Sequence, residues 1–339
     1  MKTRIQRAVM HLMFRLPAAA KQRMAGAAII RDGQRLALDA QLLTVMSART
    51  GLSLVVNDSP EQSRQALHDG RHVLAGPRTT VTTHELTIGT LPATLYTPAG
   101  ADSAAPLLVY FHGGGWVIGS PATHDSLTRF LADRARVKVL SVGYRLAPEH
   151  PFPAAVDDAL EAFAYAHANI ATLGVDPARI AVGGDSAGAN LAAVLAQVTS
   201  HTAGPQPAHQ FLFYPATDFT RRHPSRELFA EGFMLTDREV DWFQHQYAGA
   251  AERTDPHLSP LLGTPGSAIA PASIWTAGFD PLRDEGESYA TMLRALGAAV
   301  ALHREEDLIH GYLSFFALSA RFHAAAAAVA ETIRAELRA

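Results

Sequence analysis

The chain has 339 residues, 48% of them hydrophobic and 18% charged, with a formal net charge of −3. Such a composition is globular and long enough for a large core, in one large domain or two smaller ones. It offers no basic face that would point to nucleic acid as a partner, and the absence of cysteine excludes disulfides and thiolate metal sites.

No apolar run reaches the roughly 18 residues of a membrane span, so stable membrane insertion is not expected. Met1 to Arg15 begins like a signal peptide, but its apolar patch is short, contains His11 and lacks a clear cleavage site. Ile5, Val9, Leu12 and Leu16 fall at helical spacing and predict an amphipathic helix kept in a cytoplasmic protein. Interfacial membrane binding is the minority alternative. A second helix is expected around Leu36 to Met46, stopped by Gly51, and a short third from Glu61 to His68. His68 and His72 have the spacing of two metal ligands, but Gly70 lies between them and no third ligand is near. They read as a solvated loop, and no metal is expected.

The pattern changes after Pro77. Val81 to Ile88 alternates and is β-branched, and Leu91 to Tyr96 answers it across Gly89-Thr90, which predicts an antiparallel hairpin. Strands and helices then alternate. Strands are expected at Leu107–Phe111, Val137–Val142, Ile180–Val182, Gln210–Tyr214, Ser273–Ala277 and Ala299–His303. Between and after them, helices are expected at Thr123–Ala135, Pro153–Ala171, Ala189–Ala196 and Glu285–Leu296, and in the alanine-rich C-terminus. Alternation of this kind means a mostly parallel sheet covered on both faces.

Residues 215–263 break the rhythm, with helical patches at Leu228–Phe233 and Arg238–Tyr247. Thr236 and Glu239 have capping-box spacing for the second patch. An insertion this long between core strands reads as functional. The expected organisation is a core of residues 76–214 and 264–339, with residues 1–75 and the insertion 215–263 forming a helical cap.

The stretch Ile180 to Leu191 contains Gly184-Asp185-Ser186-Ala187-Gly188, a G-x-S-x-G between a predicted strand and a predicted helix. A serine on so tight a turn is forced into a strained backbone, and glycines two residues either side let strand and helix nearly touch. The alternative is a Gly/Ser-rich turn that merely joins the two elements. A second glycine run, His112-Gly113-Gly114-Gly115-Trp116, follows the strand Leu107–Phe111. Glycine N–H groups there can face a substrate oxygen that gains negative charge during acyl transfer. Gly113 and Gly114, with Ala187, would make a three-donor oxyanion hole. A nucleotide-phosphate loop would need a glycine where Ile118 stands.

A serine nucleophile needs a base and an orienting carboxylate. Asp280 stands at a strand end, and His310 in a polar loop with Asp307, which makes His310 the candidate base and Asp280 its acid. Asp284 and Glu285 remain rivals for the acid, although carboxylates there also suit a helix N-terminus. His303 lies inside a strand and reads as structural.

These pieces, with Tyr144 to Ala154, Asp280 to Gly286 and His310-Gly311-Tyr312, run in one order across about residues 80 to 320. In that order the chain resembles the hormone-sensitive-lipase-like carboxylesterases, the bacterial family IV enzymes. The resemblance implies an α/β-hydrolase with an eight-stranded, mostly parallel sheet, and a serine esterase for short- to medium-chain acyl esters. It implies nucleophile Ser186, acid Asp280 and base His310, the oxyanion donors Gly113, Gly114 and Ala187, and no cofactor. Candidate substrate contacts are Trp116, Asp185 and Phe233, the partner a small-molecule ester, with room for a homodimer. An amidase or formamidase would use the same machinery. A non-catalytic receptor on the same fold would be expected to have a broken triad.

Overall fold

The computed structural model describes residues 2–51, 53–77 and 79–338, with side chains from residue 6 onward. Helices α1 (Lys2–Phe14) and α2 (Ala18–Ala25), a short hairpin of β1 (Ile30–Arg31) and β2 (Gln34–Arg35), and helices α3 (Leu38–Thr50) and α4 (Pro60–Gly70) come first. The hairpin β3 (Thr82–Ile88) and β4 (Leu91–Thr97) leads into β5 (Ala105–Phe111), α5 (Pro121–Ala135), β6 (Lys138–Val142), α6 (Ala154–Ala168) and the single turn α7 (Ile170–Leu173). Then come β7 (Val175–Asp185), α8 (Ala187–Ser200), β8 (Gln210–Phe213), α9 (Pro224–Leu228) and α10 (Asp237–Ala248). The chain closes with β9 (Ala272–Phe279), α11 (Arg283–Ala295), β10 (Val300–Ile309) and α12 (Ala320–Glu336).

Strands β3 to β10 form one eight-stranded sheet in the order β10-β9-β8-β7-β5-β6-β4-β3. It is parallel from β10 to β6, and β4 and β3 extend it antiparallel. Both faces are covered, as the near-continuous apolar strands require. Along β5, Leu107, Val109 and Phe111 enter one core with Ala159 and Ala162 of α6 and Leu191 and Leu195 of α8. The alternate residues Leu108 and Tyr110 enter the other with Leu131 of α5 and Val329 and Ile333 of α12. Each such aliphatic side chain contributes roughly 1.5–3 kcal/mol by leaving water.

The register sets the strand ends level. Phe111 of β5 pairs with Gly184 of β7, and Asp185 pairs with Phe213 of β8. Phe279 of β9 pairs with Ile309 of β10. His112, Ser186, Asp280 and His310 are therefore the residues that follow, or all but follow, four strand ends on one edge, where open α/β sheets place their ligands.

Several local readings change. β10 continues through Asp307, where a polar loop was expected; its register against β9 shifts between Glu305 and Ile309, and Asp307 and Glu305 pair with Arg321 of α12. Of the patch Leu228–Phe233 only Leu228 is helical: Pro224 starts α9 earlier, α9 ends at Leu228, and Gly232, with φ 88°, turns the chain. α4 continues past His68 to Gly70, and His72 lies beyond it. In α1 the inward residues are Met10 and Phe14, whereas Val9 and Leu12 are 49% and 64% exposed. The side chain of Ile5 lies outside the described residues. The capping box of Thr236 and Glu239 forms as expected.

Candidate active site

Ser186 sits at φ 55° and ψ −116° between β7 and α8, a conformation that costs a non-glycine residue about 1–3 kcal/mol. Its neighbours hold it there. The Ser186 N–H donates to the Phe213 carbonyl at 2.8 Å. A Cβ on Gly184 or on Gly188 would run into the Phe111 carbonyl at the end of β5. Helix α8 can therefore approach the sheet only with glycine at both positions.

His310 bridges the other two residues. Its Nε2 lies 3.0 Å from Ser186 Oγ and its Nδ1 2.8 Å from Asp280 Oδ2. Asp280 is fully buried, and its second oxygen accepts the Leu282 N–H at 2.8 Å. Tyr214 presents its ring edge-on to the imidazole, 4.8 Å between centroids. The rival carboxylates are engaged elsewhere. Asp284 accepts from the Ser225 N–H and from Arg283. Glu285 accepts the Thr217 N–H at 2.7 Å, and burial pushes its carboxyl up to about 8. His303 lies within β10 and stacks on Trp275.

The glycine run departs from expectation at one position. The Gly113 N–H donates to Asp185 Oδ1 at 2.9 Å, so it is not available to a substrate oxygen. Among the described residues, the N–H groups of Gly114, Gly115 and Ala187 have no acceptor within the chain. Gly114 at φ 117° and Gly115 at φ 58° take conformations that turn the run over. The available glycine donors are thus one residue further along than the sequence suggested. Spacing alone cannot reveal which N–H the protein uses for itself.

Asp185 borders the cavity, but its oxygens are engaged by protein groups. Besides Gly113, it accepts from the Tyr110 hydroxyl at 2.5 Å, and His124 Nε2 lies 3.5 Å from its other oxygen. Burial would raise its carboxyl, but the neighbouring His124 and the hydrogen bonds from Tyr110 and Gly113 outweigh that and hold it below its ordinary value. Asp185 stays ionised and ties the glycine run to the elbow. Burial drives His112 down to about 3, so it is neutral; its ring lies stacked on Tyr144. Tyr144 donates to the His112 carbonyl at 2.7 Å, and the Ala147 N–H to the Trp116 carbonyl at 2.9 Å. The run from Tyr144 therefore braces the glycine loop. Sequence reading missed Tyr110, His124 and Gly115; only the G-D-S-A-G aspartate and the third glycine hinted at them.

These groups open into a cavity of about 1160 Å³. Ser186, His310, Gly114 and Gly115 form one part of its wall. Met10, Met13 and Met46 from the N-terminal helices and Leu235 and Phe243 from residues 215–263 form another. Trp116 borders the cavity and stacks flat on Tyr247, 4.6 Å between centroids. Phe233 does not reach it. The turn at Gly232 sends Phe233 inward against Phe229 and Phe279, while its neighbours Met234 and Leu235 face the cavity. No group of residues suited to holding a metal occurs among the described residues.

A family described as alpha/beta hydrolase fold matches residues 108–314. The carboxylic ester hydrolase LipN of Mycobacterium tuberculosis (strain ATCC 25618 / H37Rv) is 45% identical over 335 residues, which are 95% of this chain and 89% of that protein. An ethyl acetate hydrolase of Pseudomonas putida is 43% identical over 228 residues, 66% of this chain and 72% of its own. Among solved structures, the ester-hydrolase EH1AB1 from the metagenome of Lake Arreo superposes with a TM-score of 0.84 at 37% identity. The match covers 90% of this chain and 100% of that one.

Proposed function

Because the chain belongs to the hormone-sensitive-lipase-like carboxylesterases of the α/β-hydrolase fold, we propose that it hydrolyses short- to medium-chain acyl esters through an acyl-enzyme on Ser186. The observation that carries the residue assignment is the unbroken chain Ser186–His310–Asp280, with both hydrogen-bond distances at or below 3.0 Å. Asp280 fixes the imidazole so that Nδ1 keeps its proton and Nε2 can accept one. Nε2 takes the hydroxyl proton as Oγ bonds to the ester carbonyl carbon. The carbonyl oxygen becomes an oxyanion facing the N–H groups of Gly114, Gly115 and Ala187. The last of these is the first amide of α8, where the helix dipole favours negative charge. His310 then protonates the leaving alcohol. Water enters and gives a proton to His310 as its oxygen bonds to the acyl carbon; the adduct then breaks at Ser186 Oγ, which takes the proton back from His310 as the acid leaves. No cofactor takes part.

In this reading residues 1–75 and 215–263 form the cap, and their apolar contribution to the cavity suits a short or medium acyl chain. The partner is a small ester in the cytoplasm, without nucleic acid. Among the described residues no helix is long and apolar enough to cross a membrane. Assembly as a homodimer is read by light scattering of the purified protein. Hydrolysis of p-nitrophenyl esters from acetate to palmitate, with Ser186→Ala beside the wild type, tests the function. Activity highest at short chains and lost in the variant supports it. Activity rising toward palmitate would make the protein a lipase, and an active variant would remove Ser186 from the mechanism.

A further inference from the structure

A second cavity, of about 430 Å³, borders the insertion, and its wall includes Arg221, Arg222, Arg226, Arg253, Phe219 and Gln244. Most of the cations are already matched. The buried Arg226 pairs with Asp237 and Asp241, Arg222 pairs with the same two, and Arg221 pairs with Asp218. Arg253 is different: among the described residues its guanidinium has no partner, and only its backbone carbonyl is bonded, to Ser259. Four guanidinium groups against three carboxylates leave a single positive charge, carried where no protein acceptor meets it. That excess suits one monoanion rather than a polyphosphate.

Gln244 is the second observation. It is 6% exposed, its amide makes no hydrogen bond among the described residues, and it borders both this cleft and the cavity of Ser186. Its amide is not sealed inside the protein but faces the open space of the two clefts, where a ligand can meet it. The chemistry is close by. Phe243, the next residue, lies against Gly115, where an added Cβ would strike its ring. Phe219 forms an apolar wall of the cleft and touches Trp116 of the catalytic cavity, 5.2 Å between rings.

We propose that this cleft is a monocarboxylate-binding site adjoining the catalytic cavity, with Arg253 as the cation, Gln244 as amide donor and Phe219 as the wall for a short acyl tail. The planar guanidinium matches a carboxylate through two parallel N–H bonds. The identity of the acid rests on the esterase reading, since ester hydrolysis produces a short carboxylate next door. Binding there retains product near the site without competing for Ser186.

The test is titration of carbon-13-labelled butyrate, followed by NMR, into the full-length protein after Ser186 has been phosphorylated with diethyl p-nitrophenyl phosphate. Blocking Ser186 removes butyrate binding at the catalytic centre. Saturable binding is expected, weakened about tenfold by Arg253→Gln and also by Gln244→Leu. Arg253→Gln should leave the initial rate of ester turnover unchanged. Absence of saturable binding, an affinity unaltered in Arg253→Gln, or equally tight binding of chloride at the same ionic strength would each overturn the proposal. If the organophosphate fails to inactivate the enzyme, the Ser186 reading has failed instead. The same titration on untreated protein, judged by its dependence on Arg253, then decides the cleft.

Discussion

The two walls of the catalytic cavity are built on different principles. The wall made by the ends of β5, β7, β9 and β10 is set by backbone. Glycines lie where a single Cβ would collide with a carbonyl, Ser186 holds a strained φ, and Asp185 holds the Gly113 N–H. The wall made by α1, α3 and residues 215–263 is set by side chains, several of them methionines, with Val9 half-exposed at its rim and Leu12 left in solvent. Methionine fills irregular space and tolerates exchange. On the proposed mechanism, the first wall would hold the reacting atoms in place and the second would set which acyl chain fits.

If that division holds, substitutions on the two walls give different signatures. Ser186→Ala should lower kcat on the order of 10⁶-fold. Its melting temperature should not fall, because alanine keeps the packing; both are read by ester kinetics and calorimetry. Asp185→Asn keeps the shape of the tie to Gly113 but removes its charge. It should cost roughly 10- to 100-fold in kcat with little change in KM, less than the loss of an oxyanion donor itself. An unchanged kcat would mean the glycine run is rigid without it. On the other wall, Met46→Trp should lower turnover of longer-chain p-nitrophenyl esters roughly tenfold, while acetate stays within about twofold. A uniform loss across chain lengths would erase the distinction between the walls.

The smallest effect concerns the joint between them. Glu285 of α11 accepts the Thr217 N–H, and Thr217 Oγ1 donates back to the Glu285 carbonyl, where the insertion leaves the sheet. Its carboxyl rises from 4.5 to about 8 on burial. The folded protein therefore holds a proton that the unfolded chain has released. That contribution is complete below about pH 4.5 and is lost as pH rises toward about 8. Glu285→Gln should flatten this part of the stability profile, measured as melting temperature from pH 5 to 9, while leaving the ester chain-length preference unchanged.

Legibility in the sequence follows the same division. The elbow, the strand ends and the order serine, acid, histidine were readable because backbone geometry demands particular residues at fixed offsets. Ser186, Asp280 and His310 stand within hydrogen-bond reach in sequence order. The free amides of the glycine run were readable only to within one residue, since nothing in the sequence says that Asp185 takes the Gly113 amide. The other wall was poorly readable. Phe233 looked like a pocket residue by its chemistry, and a turn at Gly232 sends it inward. In α1, helical spacing identified an apolar stripe at Val9 and Leu12, but tertiary packing buries Phe14 and partly buries Met10 instead. Side-chain packing decides such matters by fit, and many sequences fit equally well.

The strand order has one further consequence. β10, the edge strand that ends where His310 begins, has β9 as its strand neighbour in the sheet, and α12 folds back onto α5 from the first half of the chain. Ser186 is made 124 positions earlier than the histidine it faces. During vectorial synthesis the elbow can form against β5 and β8 while its base is still inside the ribosome. The nucleophile thus emerges unarmed. On the proposed triad, a nascent or C-terminally truncated chain would be inert, and hydrolytic capacity would arrive as a single late event, when the last strand docks on the edge of the sheet.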